Sequence, residues 1–329
     1  MTMSKIAKLA GVSVATVSKA LTNSKEISRE TAEKILQIAR DTGYFSERQK
    51  RRQDNRKSDS PQIALLCPEI VSPYYASQAT VFREEITRLG GEVQIFISSF
   101  EKEQILAMIR RLVEENTVDG ILVQSPPPEN MPHPLPIPVV FIGYGEANHF
   151  DLVHSSNTGL LHAIQHLKEL GHTAIGFVGE PLTTLKEKHF CSFLEKEALP
   201  LREDFLYIVD KRFEEIGWHA AQTISRQAER PTDLIVAYDE VAFGLIRGLQ
   251  EHGISVPKDI SVIGMNDIPT AAYCEPPLTT IRYHIEEQYN IAAQLLYRKI
   301  QNPKYTVIQN IQVETELVLR ASTAPPKKL

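Results

Sequence analysis

Hydrophobic residues at the start of the chain recur at helical spacing in three short stretches. The first, IAKLA, is interrupted by Gly11. Ser13 stands where a helix cap is expected, ahead of the second stretch, VATVSKAL. Ser28 can cap a third stretch, and Gly43 supplies a C-terminal stop. The spacing therefore predicts a three-helix unit over residues 1–44.

From residue 62 onwards, short apolar runs alternate with amphipathic stretches. The runs QIALLC, GILVQ, PVVFIG, AIGFVG, LIVAY and SVIGM belong to a set of about ten predicted strands. Helices are predicted between several of them, at residues 74–89, 103–115, 159–170 and 241–252. Alternating strands and helices are typical of parallel sheets that carry helices on both faces. Because about ten strands exceed one comfortable sheet, the pattern predicts two doubly wound subdomains.

These patterns divide the chain into a head, a linker and a body. From Arg48 to Lys57 the chain carries six basic residues, one acidic residue and no apolar residue, so this segment cannot form a core by itself. We predict a head at 1–44, a linker at 45–60 and a body at 61–329. The body is predicted to contain an N-subdomain at about 61–157 plus 283–316 and a C-subdomain at about 158–282 plus 317–324.

Charge is distributed unevenly over the 329 residues, whose net charge is −5. The first 60 residues carry 13 Lys and Arg against 7 Asp and Glu, a net charge of +6. The remaining residues carry 23 basic against 34 acidic residues, a net charge of −11. A basic head on an acidic body indicates that the head meets a polyanion and the body does not.

Composition and motifs argue against several classes of protein. No run of about 18 apolar residues predicts a membrane span, and the start of the chain lacks the apolar stretch of a signal peptide. We therefore expect a cytoplasmic protein, associated with the nucleoid when it is bound to DNA. Cys67, Cys191 and Cys274 are far apart, and the ten histidines lack metal-ligand spacing, so neither a disulfide framework nor a metal site nor a cofactor is predicted.

Catalytic signatures are missing as well. The chain contains no GxSxG or HExxH motif, and no glycine-rich phosphate loop follows the first strand, where QIALLCPEIVSP stands. An enzyme is therefore not predicted. The basic head and the missing signal peptide also argue against a free periplasmic binding protein.

The first two helices of the head, joined at a glycine turn, match the helix-turn-helix plan. The second helix of that plan enters the major groove, so its exposed face must be slim and rich in hydrogen-bonding groups. Val14, Ala15, Thr16, Ser18 and Lys19 meet this requirement. A small helical hairpin that packs against another protein is the alternative, and the helix spacing alone leaves it open.

Motifs along nearly the whole chain resemble those of the LacI/GalR family of bacterial repressors. The head, with KLAGVSVATVSKALTN, is similar to the family's AxxAGVSxxTVSxxLN core. In the body, SPYYA, VDGILV, HLKELGHTAIGFVGE and VPKDISVIGMNDIPTAAYCEPPLTTI resemble family elements in the same order. The resemblance implies a homodimer whose two heads read the half-sites of a pseudopalindromic operator. It also implies a periplasmic-binding-protein-like body that senses a small molecule, with no membrane partner.

The resemblance also implies which residues meet DNA. Lys19 holds a position where the family usually has arginine, and lysine cannot form the bidentate fork of a guanidinium. The DNA-binding residues implied by the match are Thr2, Ser4, Ser13, Val14, Ala15, Thr16, Ser18, Lys19, Asn23, Arg51, Arg52 and Gln53.

The linker departs from the family pattern. The family's usual ARxL hinge has a leucine near residue 53, and that leucine wedges into the minor groove. This chain has KRRQ instead, with Gln53 in the place of the leucine. Glutamine is a poorer wedge than an apolar side chain, because it can only hydrogen-bond. A disordered linker and a hinge helix that forms on DNA both remain open.

The resemblance implies an effector site in the body. Lys186 stands where arginine is common, and Asn266 replaces an aspartate of the family. MNDIPTA resembles the β-galactoside-regulator branch, which favours a saccharide and more narrowly a galactoside. The residues implied to face the effector are Tyr74, Tyr75, Ser125, Lys186, Phe213, Trp218, Asp239 and Asn266.

Several alternatives stay open within this interpretation. Each aromatic residue of the implied site could instead be part of the core. Two tyrosines and an amide would also suit a purine or nucleoside, and a global regulator of the same fold would need a phosphoprotein corepressor. The sequence does not distinguish induction from corepression. The C-terminal RASTAPPKKL carries no apolar heptad, so we predict a dimer rather than a tetramer.

Overall fold

The computed structural model describes residues 2–21, 26–44, 60–145, 147 and 149–327. The chain folds into two units, and the head belongs to the first of them. Unit 1 comprises Met1–His154 and Ile285–Val313, and unit 2 comprises Ser155–His284 and Glu314–Leu329. Within these described residues, no helix is long and apolar enough to cross a membrane.

The head contains three helices, α1 (Met3–Ala10), α2 (Val14–Leu21) and α3 (Arg29–Asp41). Gly11 joins the first two with φ +73°, a left-handed conformation that glycine adopts without strain. The inner faces of the helices form a core of their own, as the helical spacing predicts. Its buried members are Ile6, Ala7, Ala10, Val17, Ala20, Leu21, Ala32, Ile35, Leu36 and Ala39.

Unit 1 is built on a six-stranded sheet with the order β11-β5-β4-β3-β1-β2. Strands β1 to β5 pair in parallel, which requires a crossover between consecutive strands. Its strands are β1 (Gln62–Cys67), β2 (Glu92–Ile97), β3 (Gly120–Val123), β4 (Val139–Ile142), β5 (Asp151–Ser155) and β11 (Asn310–Val313). Its helices are α4 (Pro73–Arg88), α5 (Lys102–Glu115) and α10 (Ile285–Gln301).

Both faces of the unit 1 sheet are covered. Side chains of α4 and α10, such as Phe82 and Leu296, pack with Leu65 on one face. Side chains of α5, such as Ile109, pack with Leu66 on the other face. Consecutive strand residues therefore enter opposite cores, which explains the uninterrupted apolar runs in the sequence.

Unit 2 repeats this plan with the order β12-β10-β9-β8-β6-β7. Strands β7, β6, β8, β9 and β10 pair in parallel, and β12 pairs antiparallel with β10. Its strands are β6 (Ile175–Gly179), β7 (Leu206–Ile208), β8 (Asp233–Val236), β9 (Ser261–Asn266), β10 (Thr279–Tyr283) and β12 (Thr315–Val318). Its helices are α6 (Thr158–Leu170), α7 (Thr184–Lys196), α8 (Glu214–Arg226) and α9 (Asp239–Glu251).

Helices α8 and α9 approach each other unusually closely, and two glycines permit it. A Cβ atom at Gly217 would lie 2.0 Å from the Val241 carbonyl oxygen, and one at Gly244 would lie 1.8 Å from the Glu214 carbonyl oxygen. Because no side chain fits in either place, glycine at both positions lets the two helix backbones pack in direct contact.

A helix-turn-helix head and two largely parallel α/β sheets confirm the predicted fold class. The described residues contain twelve strands where the pattern predicted about ten, since β7 has three residues and β11 and β12 have four each. Helix bounds differ by one or two residues from the prediction. For example, α9 begins at Asp239 instead of residue 241, and α3 ends at Asp41, before the predicted stop at Gly43.

Candidate nucleic-acid interface and effector site

Helix α2 presents one narrow face to solvent. Val17, Ala20 and Leu21 are buried in the head core, whereas the side chain of Val14 is 45% exposed. The remaining predicted contact residues of this helix are exposed or, for Thr16, half-buried: Ala15, Thr16, Ser18 and Lys19. The face is small and carries hydroxyl, methyl and ammonium groups, the chemistry that reads base edges in a major groove.

Ser13 fixes the start of this helix. Its Oγ accepts the Thr16 N–H at 3.0 Å and lies 2.8 Å from the Thr16 Oγ1. The cap leaves the other amide groups of the first turn pointing outward, and the N-terminus of a helix attracts phosphate. Ser13 and Thr16 thus lie where a DNA backbone would approach.

Lys19 is not an isolated cation. Its ammonium forms an ion pair with the carboxylate of Glu26, and that contact holds the pKa of Glu26 below its usual range. Both side chains are largely exposed, so the pair contributes little to stability. Lys19 can therefore exchange Glu26 for a phosphate or a base at small cost.

The other predicted DNA contacts divide into two groups. Thr2 and Ser4 are exposed at the start of α1, where Thr2 caps the helix. Asn23, Arg51, Arg52 and Gln53 lie outside the described residues, so their roles stay predictions. The same holds for the choice between a disordered linker and a hinge helix.

The parallel strands of unit 2 end at one edge of its sheet, here called the carboxyl edge of unit 2. Ligands of open α/β sheets bind beyond such an edge. Among the predicted effector residues, Lys186, Phe213 and Asn266 lie at this edge or in the segments that leave it. Three residues that sequence reasoning missed join them, namely Glu180, Arg212 and Tyr238.

Lys186 lies on the first turn of α7. Its Nζ donates to the Ala237 carbonyl oxygen at 2.7 Å and stands 5.6 Å from the centre of the Tyr283 ring. Burial lowers the pKa of this ammonium to about 8, against the opposing influence of Asp239, Glu240 and Glu180. Lys186 is thus a desolvated cation surrounded by acidic groups.

Phe213 belongs to a bonded cluster at the same edge. Its N–H donates to the Tyr238 Oη at 3.1 Å, and the Tyr238 hydroxyl donates to the Glu180 Oε1 at 2.6 Å. The Arg212 Nε lies 3.1 Å from the same Glu180 oxygen. Glu180 and Tyr238 each come shortly after a strand, so strand-end placement could have identified them. No sequence signal marked Arg212.

Asn266 combines burial with an unfavourable backbone. Its φ is +102°, in a region that residues with a side chain rarely adopt, and the side chain is 7% exposed. Its amide makes no hydrogen bond to any described residue. Strained backbones of this kind cluster at ligand-binding positions and persist only where the surroundings enforce them.

Asp267 and two arginines hold the backbone next to Asn266 in place. The Asp267 carboxylate accepts from the Arg282 Nε at 2.7 Å and from an Arg320 guanidinium nitrogen at 2.6 Å. Arg282 also donates to Glu316 at 2.6 Å, and Asp267 itself has φ +51°. The segment behind Asn266 is therefore clamped to β10 and to the C-terminal segment.

The position of Asp239 corrects its predicted role. The side chain is fully buried, with Oδ2 accepting the Ile268 N–H at 2.8 Å and Oδ1 accepting the Thr280 hydroxyl at 2.5 Å. Burial raises its pKa to about 7. Because each oxygen is bonded inside unit 2, Asp239 ties α9 to β10 and does not face a ligand.

Trp218 also lies away from the predicted site. Its Nε1 donates to the Glu251 carboxylate at 3.1 Å, at the last residue of α9. Helix α9 begins at the carboxyl edge, so its end lies about 18 Å from that edge at 1.5 Å per residue. Trp218 is therefore a partly exposed residue on the α8–α9 pair, whereas Phe213 lies at the edge.

Two tyrosines, a phenylalanine and a serine lie at the carboxyl edge of unit 1. The rings of Tyr74 and Tyr75 are half-buried at the start of α4, with centroids 5.3 Å apart, and Phe100 lies 6.0 Å from Tyr75. Ser125 follows β3, and its hydroxyl donates to the Pro126 carbonyl oxygen. This edge offers aromatic surface and hydroxyl groups.

A buried amide network underlies that edge and was not predicted. The Gln124 Nε2 donates to the Tyr289 Oη at 2.9 Å, and the Tyr289 hydroxyl donates to the Gln78 Oε1 at 2.8 Å. The Gln124 Oε1 is buried and has no hydrogen-bond partner among the described residues. In the sequence, this network is marked only by the polar residue Gln124 directly after the apolar run of β3.

Comparison with known proteins assigns similarities to both parts of the chain. Residues 2–47 match the model of bacterial regulatory proteins of the lacI family, and residues 164–323 match that of a periplasmic binding protein-like domain. The HTH-type transcriptional repressor PurR of Actinobacillus pleuropneumoniae serotype 3 is 29% identical over 333 residues, which cover 98% of each chain.

Solved structures are similar as well. A LacI family transcriptional regulator from Enterococcus faecium with bound ribose has a TM-score of 0.69 and 26% identity, covering 81% of this chain and 100% of the other. The lac repressor dimer bound to operator and the anti-inducer ONPF has a TM-score of 0.73 and 21% identity. The match covers 98% of this chain and 99% of the lac repressor chain, and at 21% identity it shows the fold alone.

Proposed function

We propose that this chain, which belongs to the LacI family of bacterial regulatory proteins, represses transcription from a pseudopalindromic operator under the control of a small neutral metabolite. The chain is a DNA-binding transcriptional regulator with a periplasmic-binding-protein-like body. We further propose that it has no catalytic activity. Since its target is DNA, we propose that it acts in the cytoplasm, at the nucleoid.

The exposed face of α2 is the observation that carries DNA binding. Its core-facing side is fully packed, and its outer side contains only small or flexible residues, so the helix can enter a major groove without a clash. The contacts proposed for this face are those of Ser13, Val14, Ala15, Thr16, Ser18 and Lys19, with Thr2 and Ser4 from α1. Asn23, Arg51, Arg52 and Gln53 extend the proposal into the linker.

An operator selected from random DNA by the full chain tests this proposal. Fluorescence anisotropy with that operator should give an affinity that falls steeply with salt, with a slope of about −0.9 for each phosphate contacted. Ala15→Glu places a negative charge on the recognition face and should abolish specific binding. Gln37→Glu places the same charge on an exposed position of α3 and should have a much smaller effect. Equal losses in the two variants would refute recognition by α2.

We propose a homodimer, because one recognition helix reads too few base pairs for useful specificity. Strand β2 supports this proposal. It is an edge strand of the unit 1 sheet, and the side chains of Ile95 and Ile97 are about half exposed there. Exposed apolar edges are prone to pair with another chain. Ile95→Lys should therefore shift the protein to a monomer in sedimentation analysis. A stable tetramer of the wild type would contradict the proposal.

A saccharide is our proposed effector class. Sugars bind to groups that both donate and accept hydrogen bonds and to apolar ring faces. Asn266 offers such an amide at the carboxyl edge of unit 2, and Tyr75 separately offers a ring face at the carboxyl edge of unit 1. The relative from Enterococcus faecium was solved with bound ribose, which supports the same class. The Tyr74–Tyr75 pair with an amide also suits a purine base, so a purine is our second candidate. The galactoside suggested by MNDIPTA stays a prediction.

Thermal unfolding of the full chain with separate sugars, glycosides and purine bases distinguishes the two classes, because ligand binding stabilises the native state. The stabilising compound should lose its effect on Asn266→Ala. It should keep its effect on Gln250→Ala, a variant of an exposed amide on α9. Stabilisation by purine bases and by no sugar would replace the saccharide with the purine.

A further inference from the structure

We propose that Glu26 is a specificity-determining residue of the head, and that it acts by pairing with Lys19 until a base of the operator replaces its carboxylate. Glu26 thereby weakens the binding of DNA of arbitrary sequence more than it weakens the binding of the operator. This inference rests on the proposed function, in which the exposed face of α2 enters a major groove.

The ion pair places a negative charge beside the face that is proposed to meet DNA. Lys19 lies four residues after Ala15 on α2, so the two side chains share one face of the helix, and both are exposed. Glu26 lies in the connection between α2 and α3, five residues after the end of α2. Its carboxylate reaches back to the Lys19 ammonium. A phosphate or a base that approaches Lys19 therefore also approaches Glu26.

Folding does not account for this acidic residue. The side chains of Lys19 and Glu26 are 45% and 68% exposed, and an ion pair in such a position contributes little to stability. Neither α1 nor α2 contains an acidic residue, and the other three of the head, Glu30, Glu33 and Asp41, belong to α3. A carboxylate held against α2 opposes the attraction of the head to a polyanion, so its effect should be on DNA binding.

On DNA of arbitrary sequence, the partners available to Lys19 are phosphates. Nonspecific affinity comes from cations that displace counterions from the phosphates. If Lys19 leaves Glu26 for a phosphate, one ion pair replaces another, and the carboxylate is left near a phosphate backbone that repels it. The contact with Lys19 holds the pKa of Glu26 below its usual range, so the carboxylate is ionised at pH 7. Lys19 therefore adds little to nonspecific affinity.

The operator offers Lys19 a different partner. The O6 and N7 atoms of guanine accept hydrogen bonds in the major groove, and a lysine contact to them discriminates against other bases. Phosphate contacts carry no such information. Exchange of Glu26 for a base costs little, because the ion pair is exposed. Since the lost ion pair is offset where the right base is present, Glu26 raises the ratio of operator affinity to nonspecific affinity.

Fluorescence anisotropy of the full chain tests this, with the selected operator and with a scrambled duplex of the same length and composition. Glu26→Gln should bind the scrambled duplex about three- to tenfold more tightly at about 0.1 M salt, with a salt dependence steeper by about one phosphate contact. Its operator affinity should rise by less than about threefold. An unchanged ratio of the two affinities in Glu26→Gln would overturn the proposal.

Asp41→Asn is the matched control for the loss of one negative charge. Asp41 is exposed at the last residue of α3, about 18 Å along the helix from its first residue at 1.5 Å per residue. Salt screens charges over that distance, so both affinities should stay close to those of the wild type. A change in the affinity ratio equal to that of Glu26→Gln would show a general charge effect and would overturn the proposal.

A Lys19→Gln background separates the ion pair from simple repulsion by the carboxylate. There, the further change Glu26→Gln releases no cation, so the gain in nonspecific affinity should be less than about twofold. An equal gain with and without Lys19 would show that Glu26 acts by itself and would overturn the proposal. The wild type reports on the proposed function separately: equal binding of operator and scrambled duplex would refute sequence-specific recognition itself, whereas a clear preference for the operator with an unchanged ratio in Glu26→Gln would refute this inference alone.

Discussion

Strand β8 has an aspartate at each end, and the two differ in their surroundings. Asp233 begins the strand, and Asp239 stands just beyond its end as the first residue of α9. Both side chains are fully buried, and burial raises the pKa of both carboxyl groups. Asp239 accepts hydrogen bonds on both oxygens, whereas neither oxygen of Asp233 has a hydrogen-bond partner among the described residues.

The difference separates a polar group that organises a site from one that only costs stability. At the carboxyl edge, Asp239 and Asp267 hold the segment around Asn266 from two sides. Asp233, at the opposite edge, bonds to nothing that the structure describes, and an uncompensated buried carboxyl group is unfavourable. Burial of a polar side chain is therefore not a sign of function by itself. The bonded arrangement at the strand ends is.

The largest effect should come from Asp239→Ala. It leaves the Ile268 N–H and the Thr280 hydroxyl without an acceptor, each worth about 1–3 kcal/mol when buried. We expect the free energy of unfolding to fall by about 2–4 kcal/mol in denaturant titrations. Asp239→Asn keeps one acceptor oxygen and should lose less. A selective loss of effector affinity with unchanged stability would restore the role that the sequence suggested for Asp239.

Asp233→Ala should have the opposite sign. Removing the carboxyl group should raise the free energy of unfolding at pH 7 by about 1–3 kcal/mol, because no internal bond is lost and a desolvation penalty is removed. The same denaturant titration measures it. A destabilised variant would mean that Asp233 has a favourable partner and that the two ends of β8 do not differ.

The pH dependence of stability should reflect both aspartates. Their folded-state pKa values are raised, so the folded protein holds protons that the unfolded chain releases above about pH 4. Stability should therefore fall as pH rises from about 4, and the share due to Asp239 should level off near its folded pKa of about 7. Asp233→Ala should flatten the fall. A slope identical to that of the wild type would show that Asp233 does not titrate as described.

Asn266→Gly should separate strain from function. Glycine adopts φ +102° freely, so the variant should be more stable than the wild type by up to about 1 kcal/mol. It should nevertheless lose effector-induced stabilisation, since the amide is gone. Asn116→Gly is the matched control, because Asn116 also has a positive φ but ends α5, away from the carboxyl edge. A full effector response in Asn266→Gly would exclude Asn266 from the site.

A modest stability change is expected for Gln124→Met in unit 1. Tyr289 and Gln78 keep their mutual hydrogen bond, and a volume-conserving change should cost less than about 1.5 kcal/mol. Effector affinity should fall, measured by calorimetry. Gln301→Met, at the exposed last residue of α10, serves as control and should change neither quantity. Unchanged affinity in Gln124→Met would exclude Gln124 from the effector contacts.

The head was predictable from sequence because its function lies in local patterns. A cap at Ser13, a glycine turn and a helix with one apolar face define α2, and the residues left outside form its proposed contact face. The sheets were predictable for a similar reason, since apolar runs mark buried parallel strands. Short strands such as β7 carry too few residues for a pattern to be recognised.

The effector site was predictable only in part. The family resemblance pointed to Lys186 and Asn266, and placement at strand ends would also have pointed to Glu180 and Tyr238. It cannot tell whether a side chain at an edge is already bonded inside the fold, and for this reason Asp239 was misassigned. Trp218 was misassigned because its direction depends on the packing of α8 against α9, which no local pattern encodes.

The most direct test of the central claim is operator affinity with and without a neutral effector. A panel compound that stabilises the full chain should change its affinity for the selected operator by about 5–150-fold, the usual range of coupling between two sites. Asn266→Gly should bind the operator like the wild type without the compound and should not respond to it. An operator affinity that is indifferent to every stabilising compound, or an Asn266→Gly variant that responds in full, would contradict the account.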